Sequence, residues 1–140
     1  MPEEIYPVEL IAPDIEPYRK GNIGIDFVTS LDSGKPGPHV MINAITHGNE
    51  VCGAIALDYL FRANVRPTHG KLTLGFVNHL AYSNFDPDNP GLSRFVDEDF
   101  NRVWTEDRLD GGRRLIKGFV TTTPQKLWRV GGLAAPDLIF

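Results

Sequence analysis

The stretch Val40-Met41-Ile42-Asn43-Ala44-Ile45-Thr46-His47-Gly48-Asn49-Glu50 decides the fold. Val40 to Ile45 is apolar apart from Asn43, the pattern of a central strand covered on both faces. The polar run Thr46 to Glu50 ends it. From Glu50 to Asn64, Cys52, Ala56, Leu60 and Ala63 share one helical face, while Asp58 and Arg62 lie opposite as a favourable pair four residues apart. On this reading Cys52 is a small core residue rather than a nucleophile. Asn64, Pro67 and Gly70 bracket the helix end. Lys71 to Asn78 then alternates, with Leu72, Leu74 and Phe76 set against Thr73, Gly75 and Val77. Strand, helix and strand in that order make a βαβ unit of an α/β fold with a parallel sheet. Ligands of such sheets bind beyond the carboxyl ends of the strands, where His47 to Glu50 and Asn78 fall.

Outward from this unit, Ile23, Ile25 and Phe27 alternate with Gly24 and Asp26, which predicts a half-buried strand. Asp32 to Pro38 reads as a loop. Residues 1–22, with prolines at 2, 7, 13 and 17, read as an extended arm packed along the domain. Downstream, His79 to Glu98 is a long polar connection, of the length that usually carries function. Residues 23–110 are expected to form the N-terminal part of the domain. Residues 1–110 hold nine basic and seventeen acidic side chains, whereas residues 111–140 hold five basic and one acidic, Asp137. This break predicts that residues 111–140 are an atypical tail, frame-shifted or truncated; a basic tail with a strand near Leu127 to Val130 is the other reading.

Composition narrows the function. The 140 residues carry 41% apolar side chains and a net charge of −4, which suits one globular domain and offers no electrostatic footprint for nucleic acid. No run approaches the roughly 18 apolar residues of a membrane span. The acidic start Met1-Pro2-Glu3-Glu4 lacks signal-peptide features, so the expected location is cytoplasmic, with no membrane partner. A single cysteine leaves histidine and carboxylate as the ligands for any metal.

Two clusters carry chemistry. His47 and Glu50, three apart on a turn leaving a buried strand, bring imidazole nitrogen and carboxylate oxygen within reach of one zinc ion. The alternative is a surface histidine beside a helix N-terminal glutamate. His39, His69 and His79 are expected to be solvated or hydrogen-bonded rather than ligands. The second cluster is Arg94-Phe95-Val96-Asp97-Glu98-Asp99-Phe100-Asn101-Arg102. There Asn101 and Arg102 suit an anionic substrate end, against the alternative of a solvated acidic loop with internal ion pairs.

Thr46-His47-Gly48-Asn49-Glu50 followed by Asp99-Phe100-Asn101-Arg102 resembles the succinylglutamate desuccinylase/aspartoacylase family, the deacylase branch of the zinc carboxypeptidase-like hydrolases. The resemblance covers about Ile23 to Trp104. It implies a carboxypeptidase-like α/β fold, with a mixed, mostly parallel sheet and helices on both faces, incomplete in this chain. It implies one zinc ion held by His47 and Glu50 as two of three protein ligands. Arg94 matches the arginine that polarises the scissile carbonyl and stabilises the oxyanion. Asn101 and Arg102 match the clamp for the carboxylate of a small anionic acyl-amino-acid substrate. Asp99 matches the acidic residue opening that motif, and Phe100 replaces a commoner leucine. The third ligand, a histidine, and the catalytic glutamate are implied beyond the asparagine-arginine motif. The sequence has no histidine after His79 and no glutamate after Glu106, so neither is assigned. The activity implied is zinc-dependent hydrolysis of an N-acyl amino acid; the alternatives are a metallocarboxypeptidase, or an inactive fragment or non-catalytic zinc-binding module.

Overall fold

The computed structural model describes residues 7–102 and the strand Leu138–Ile139. The βαβ unit is present as read. Strand β2 (His39–Ala44), helix α1 (Val51–Arg62) and strand β3 (Lys71–Phe76) follow in order, and β2 pairs in parallel with β3 from His39 opposite Lys71 to Ala44 opposite Phe76. Strand β1 (Val28–Asp32) lies on the far side of β3 and runs antiparallel to it; β4 (Leu138–Ile139) lies beyond β2 and runs parallel to it. The sheet is therefore mixed, in the order β1-β3-β2-β4. β2 is internal, which is why its apolar run is nearly continuous: Met41 and Ala44 are buried on opposite faces.

Helix α1 packs on the face formed by Ile42, Ala44, Leu72, Leu74 and Phe76. Its buried residues are Val51, Ala54 and Leu57, not the face through Cys52 and Ala56. Cys52 is exposed, which corrects the sequence reading of that residue. A stripe starting at Val51 brings Val51, Leu57 and Phe61 to the core, whereas the Cys52 stripe offers only Leu60 as a large side chain and buries less apolar area. The Asp58–Arg62 pair forms at 3.6 Å, and Asp58 also accepts a 2.6 Å hydrogen bond from Tyr18 Oη.

That bond ties the N-terminal arm to the helix. The arm is not wholly extended, because Glu16–Tyr18 forms a 3-10 turn. Tyr18 stacks on Phe61 at 4.3 Å and on Phe76 at 5.5 Å, and Ile15 is buried in the same core. Tyr82 Oη donates to Pro13 O at 2.8 Å, a second tie. Ile23 to Phe27 is a turn rather than the expected strand. Gly24 and Phe27 both take left-handed backbone, at φ +76° and +61°, which breaks the alternation before β1 begins at Val28. Ile25, Val28, Met41 and Val77 form a smaller core on the opposite face of the sheet, with Ile23 packed against it.

The polar connection after β3 is partly structured. Helix α2 (His79–Tyr82) starts at once, capped by Asn78, and a 3-10 turn spans Pro90–Ser93. Among the described residues no helix is long and apolar enough to cross a membrane. The possible strand near Leu127 to Val130, and the tail from 111 apart from β4, lie outside the described residues.

Candidate metal centre

His47 and Asn78 emerge at the same end of the sheet, because β2 and β3 are parallel and in register. Asn78 holds that end together: its Nδ2 donates to Thr46 O at 3.1 Å and its Oδ1 accepts from Ala81 N at 3.3 Å. The next turn is fixed by Gly48, whose N–H donates to Arg94 O at 3.1 Å. A Cβ on Gly48 would stand 2.3 Å from both Ala81 C and Ser93 O, so only glycine allows the His47 turn, α2 and the 90–94 turn to meet.

Glu50 is the residue before α1, and its carboxylate folds back onto His47. Oε2 accepts from the His47 backbone N–H at 3.0 Å, and Oε1 lies 2.7 Å from His47 Nδ1. The other ring nitrogen, Nε2, lies 2.8 Å from Asp99 Oδ1. The imidazole is thus clasped between two carboxylates while only 5% exposed. Asp99 takes its place through its own turn, since Oδ1 accepts from Asn101 N at 2.9 Å and Asp99 O accepts from Arg102 N at 2.9 Å. Burial pushes the Asp99 carboxyl up. The Asn101 N–H, the His47 ring and the Arg94 charge together outweigh that effect and hold it below its ordinary value.

Asp99 Oδ2 also faces Arg94 Nη2 at 3.6 Å. The expected residues therefore divide into a connected set and a flanking pair. His47 and Glu50 touch directly, Arg94 reaches them through Asp99, and Asn101 and Arg102 sit on the 3-10 turn Phe100–Arg102 with both side chains exposed. The loop is more than a solvated acidic face. Asp99 is the residue that reasoning from spacing left without a role; it lies 52 positions from His47, and only the motif Asp99-Phe100-Asn101-Arg102 singles it out.

The other histidines are not at this centre. His39 Nε2 is 2.7 Å from Thr73 Oγ1, near the start of the parallel strands. His79 is neither solvated nor fully hydrogen-bonded as expected. It is buried against the Phe27 ring, with centroids 4.4 Å apart, and its Nδ1 has no partner among the described residues.

The catalytic-domain model of the succinylglutamate desuccinylase/aspartoacylase family matches residues 36–127. The chain belongs to this family. The succinylglutamate desuccinylase/aspartoacylase match takes in β2, α1, β3, α2 and the whole His47–Glu50–Asp99 constellation, and it runs past the composition break at Gly111. The arm and β1 precede it. Comparison with curated proteins and with solved structures gives no match. Membership places the chain in a hydrolase family.

The donor set suits zinc in kind. In the tautomer that turns Nε2–H to Asp99, the Nδ1 lone pair and Glu50 Oε1 face each other as two electron-pair donors 2.7 Å apart. A divalent cation would take the same two atoms as donors, with Asp99 placed to orient the imidazole. Among the described residues no group of three or more His, Cys, Asp or Glu is placed to hold a metal.

Proposed function

We propose that this chain carries active-site residues of a zinc-dependent deacylase that cleaves an N-acyl amino acid. The clasp of His47 between Glu50 and Asp99 carries the reading. A buried imidazole with both nitrogens engaged by carboxylates, at the carboxyl end of the parallel pair β2 and β3, has the donor types and second carboxylate of a hydrolytic zinc site. His47 Nδ1 and Glu50 would hold the ion, which when bound would acidify a water and polarise an amide carbonyl.

The chain's own residues bind and orient. Arg94, half exposed and anchored through its backbone to Gly48, presents a guanidinium beside the centre, where negative charge on a substrate oxygen is stabilised. Asn101 and Arg102, held on the turn that Asp99 caps, offer an amide and a fork-shaped cation for a substrate carboxylate. Glu50, doubly bonded to His47, is committed to holding rather than moving protons. In this reading the fold is the carboxypeptidase-like one, and the substrate is a small anionic acyl-amino acid met in solution.

A second reading is a non-catalytic zinc-binding module, favoured by the two-ligand count among the described residues. Amine release from N-acyl amino acids and from C-terminal peptide bonds, measured on the zinc-supplemented chain, separates the readings. Release from the acyl amino acids alone supports the deacylase reading. Preference for peptides makes it a carboxypeptidase, and zinc binding with release at background supports the module.

A further inference from the structure

Ile45 lies between the last residue of β2 and the site, and its backbone is left-handed, at φ +54°. For a β-branched residue this is a genuine outlier, disfavoured roughly tenfold against ordinary backbone. It persists because its surroundings fix it from three sides. Before it, Ala44 O accepts from Val77 N at 3.1 Å, the last rung tying β2 to the end of β3. After it, Thr46 O accepts from Asn78 Nδ2 at 3.1 Å. Its own side chain is 1% exposed in the core that includes Val51 and Leu57 of α1. Between those anchors, Ile45 is the residue with left-handed backbone.

We propose that Ile45 is a positioning residue, whose left-handed backbone turns the chain out of β2 so that His47 enters the clasp of Glu50 and Asp99. An extended residue there would prolong the strand and carry His47 away from both carboxylates. The side chain supplies the burial that holds the strained backbone in place. The consequence for metal binding rests on the zinc reading above; the aim of His47 does not.

The test compares Ile45→Ala with Ile45→Gly in the 140-residue chain. Both remove the buried side chain, and they differ in tolerance of positive φ. In an extended strand glycine is the less stable of the two. Here the order is expected to reverse, with a folded-to-unfolded ratio about threefold larger for Ile45→Gly in urea titration. In the metal-free protein, the slowly exchanging imidazole Nε2–H resonance of His47 on Asp99 is expected in the wild type and Ile45→Gly, and broadened or lost in Ile45→Ala. Zinc affinity is expected to fall about fivefold further in Ile45→Ala than in Ile45→Gly. If both variants fail to fold, the wild-type protein still decides: a left-handed Ile45 gives strong amide-to-Hα cross-relaxation within the residue. A weak signal there, alanine more stable than glycine, or equal His47 resonances in the two variants overturns the proposal. Absence of zinc binding by the wild type overturns the zinc reading instead and leaves the resonance comparison in force.

Discussion

Gly48→Ala should be among the most damaging single-methyl additions in this fold, and the cost follows from what the new carbon meets. A Cβ at that position stands 2.3 Å from Ala81 C, 2.3 Å from Ser93 O and 2.6 Å from Ala81 O, all backbone atoms. No side chain can rotate aside, so either α2 or the 90–94 turn must move, and the bond from Gly48 N to Arg94 O at 3.1 Å goes with it. Overpacking costs about 1–3 kcal/mol, and a backbone obstruction belongs at the upper end. With a urea slope of about 2 kcal/mol/M, the midpoint falls by about 1.5 M. The matched control is Gly91→Ala on the neighbouring turn, where an added Cβ meets nothing within 4 Å and no positive φ is required. That variant should stay within about 0.5 kcal/mol of the wild type. Urea unfolding of the three proteins by far-ultraviolet circular dichroism measures the difference. Equal midpoints for the two variants would refute the claim that the His47 turn, α2 and the 90–94 turn are locked through Gly48.

Tyr18→Phe removes the 2.6 Å bond to the Asp58 carboxylate while keeping the ring stacked on Phe61 and Phe76, so a loss of about 1.5 kcal/mol is expected in the same titration. Spectrophotometric titration should show this phenol pushed up to about 12, by burial first and by Asp58 second; an unchanged midpoint in Tyr18→Phe would mean that the bond to Asp58 adds nothing to the hold on the arm. Burial, then the Arg19 charge, hold the His79 imidazole below its ordinary value, against smaller opposing effects from Asp26 and Glu16. The unfolded chain therefore takes up a proton near pH 6.5 that the folded chain resists, and stability falls as pH drops from about 6.5 toward the lower folded value. The difference in unfolding midpoint between wild type and His79→Gln should narrow from pH 7.5 to 5.5; a constant difference would show that His79 protonates equally in both states.

The elements that position the site were legible because their patterns are local. The apolar run of β2, the alternation of β3 and the turn residues between them place His47, Glu50 and Asn78 at one sheet end, and the structure agrees. Three features were not legible. The stripe of α1 was read from Cys52 instead of Val51, because two stripes of similar periodicity compete in a twelve-residue helix and the sheet chooses between them by side-chain size. The strand expected at Ile23 to Phe27 begins only at Val28, since alternation cannot reveal that Phe27 takes left-handed backbone under Phe76 N, which donates to its carbonyl. The antiparallel placement of β1 depends on long-range pairing with β3 that no local period encodes. At the site, the bond from Asp99 to His47 spans 52 residues; spacing placed neither residue beside the other, and only the family motif set them in one constellation.

On the proposed reading, His47 and Glu50 are two of the protein ligands of a zinc ion. Equilibrium dialysis of the 140-residue chain against buffered zinc, with metal measured by atomic absorption, tests it most directly. About one ion bound per chain is expected for the wild type, and loss of that ion in both His47→Ala and Glu50→Gln. Zinc retained undiminished by His47→Ala, or no zinc bound by the folded wild type, would contradict it.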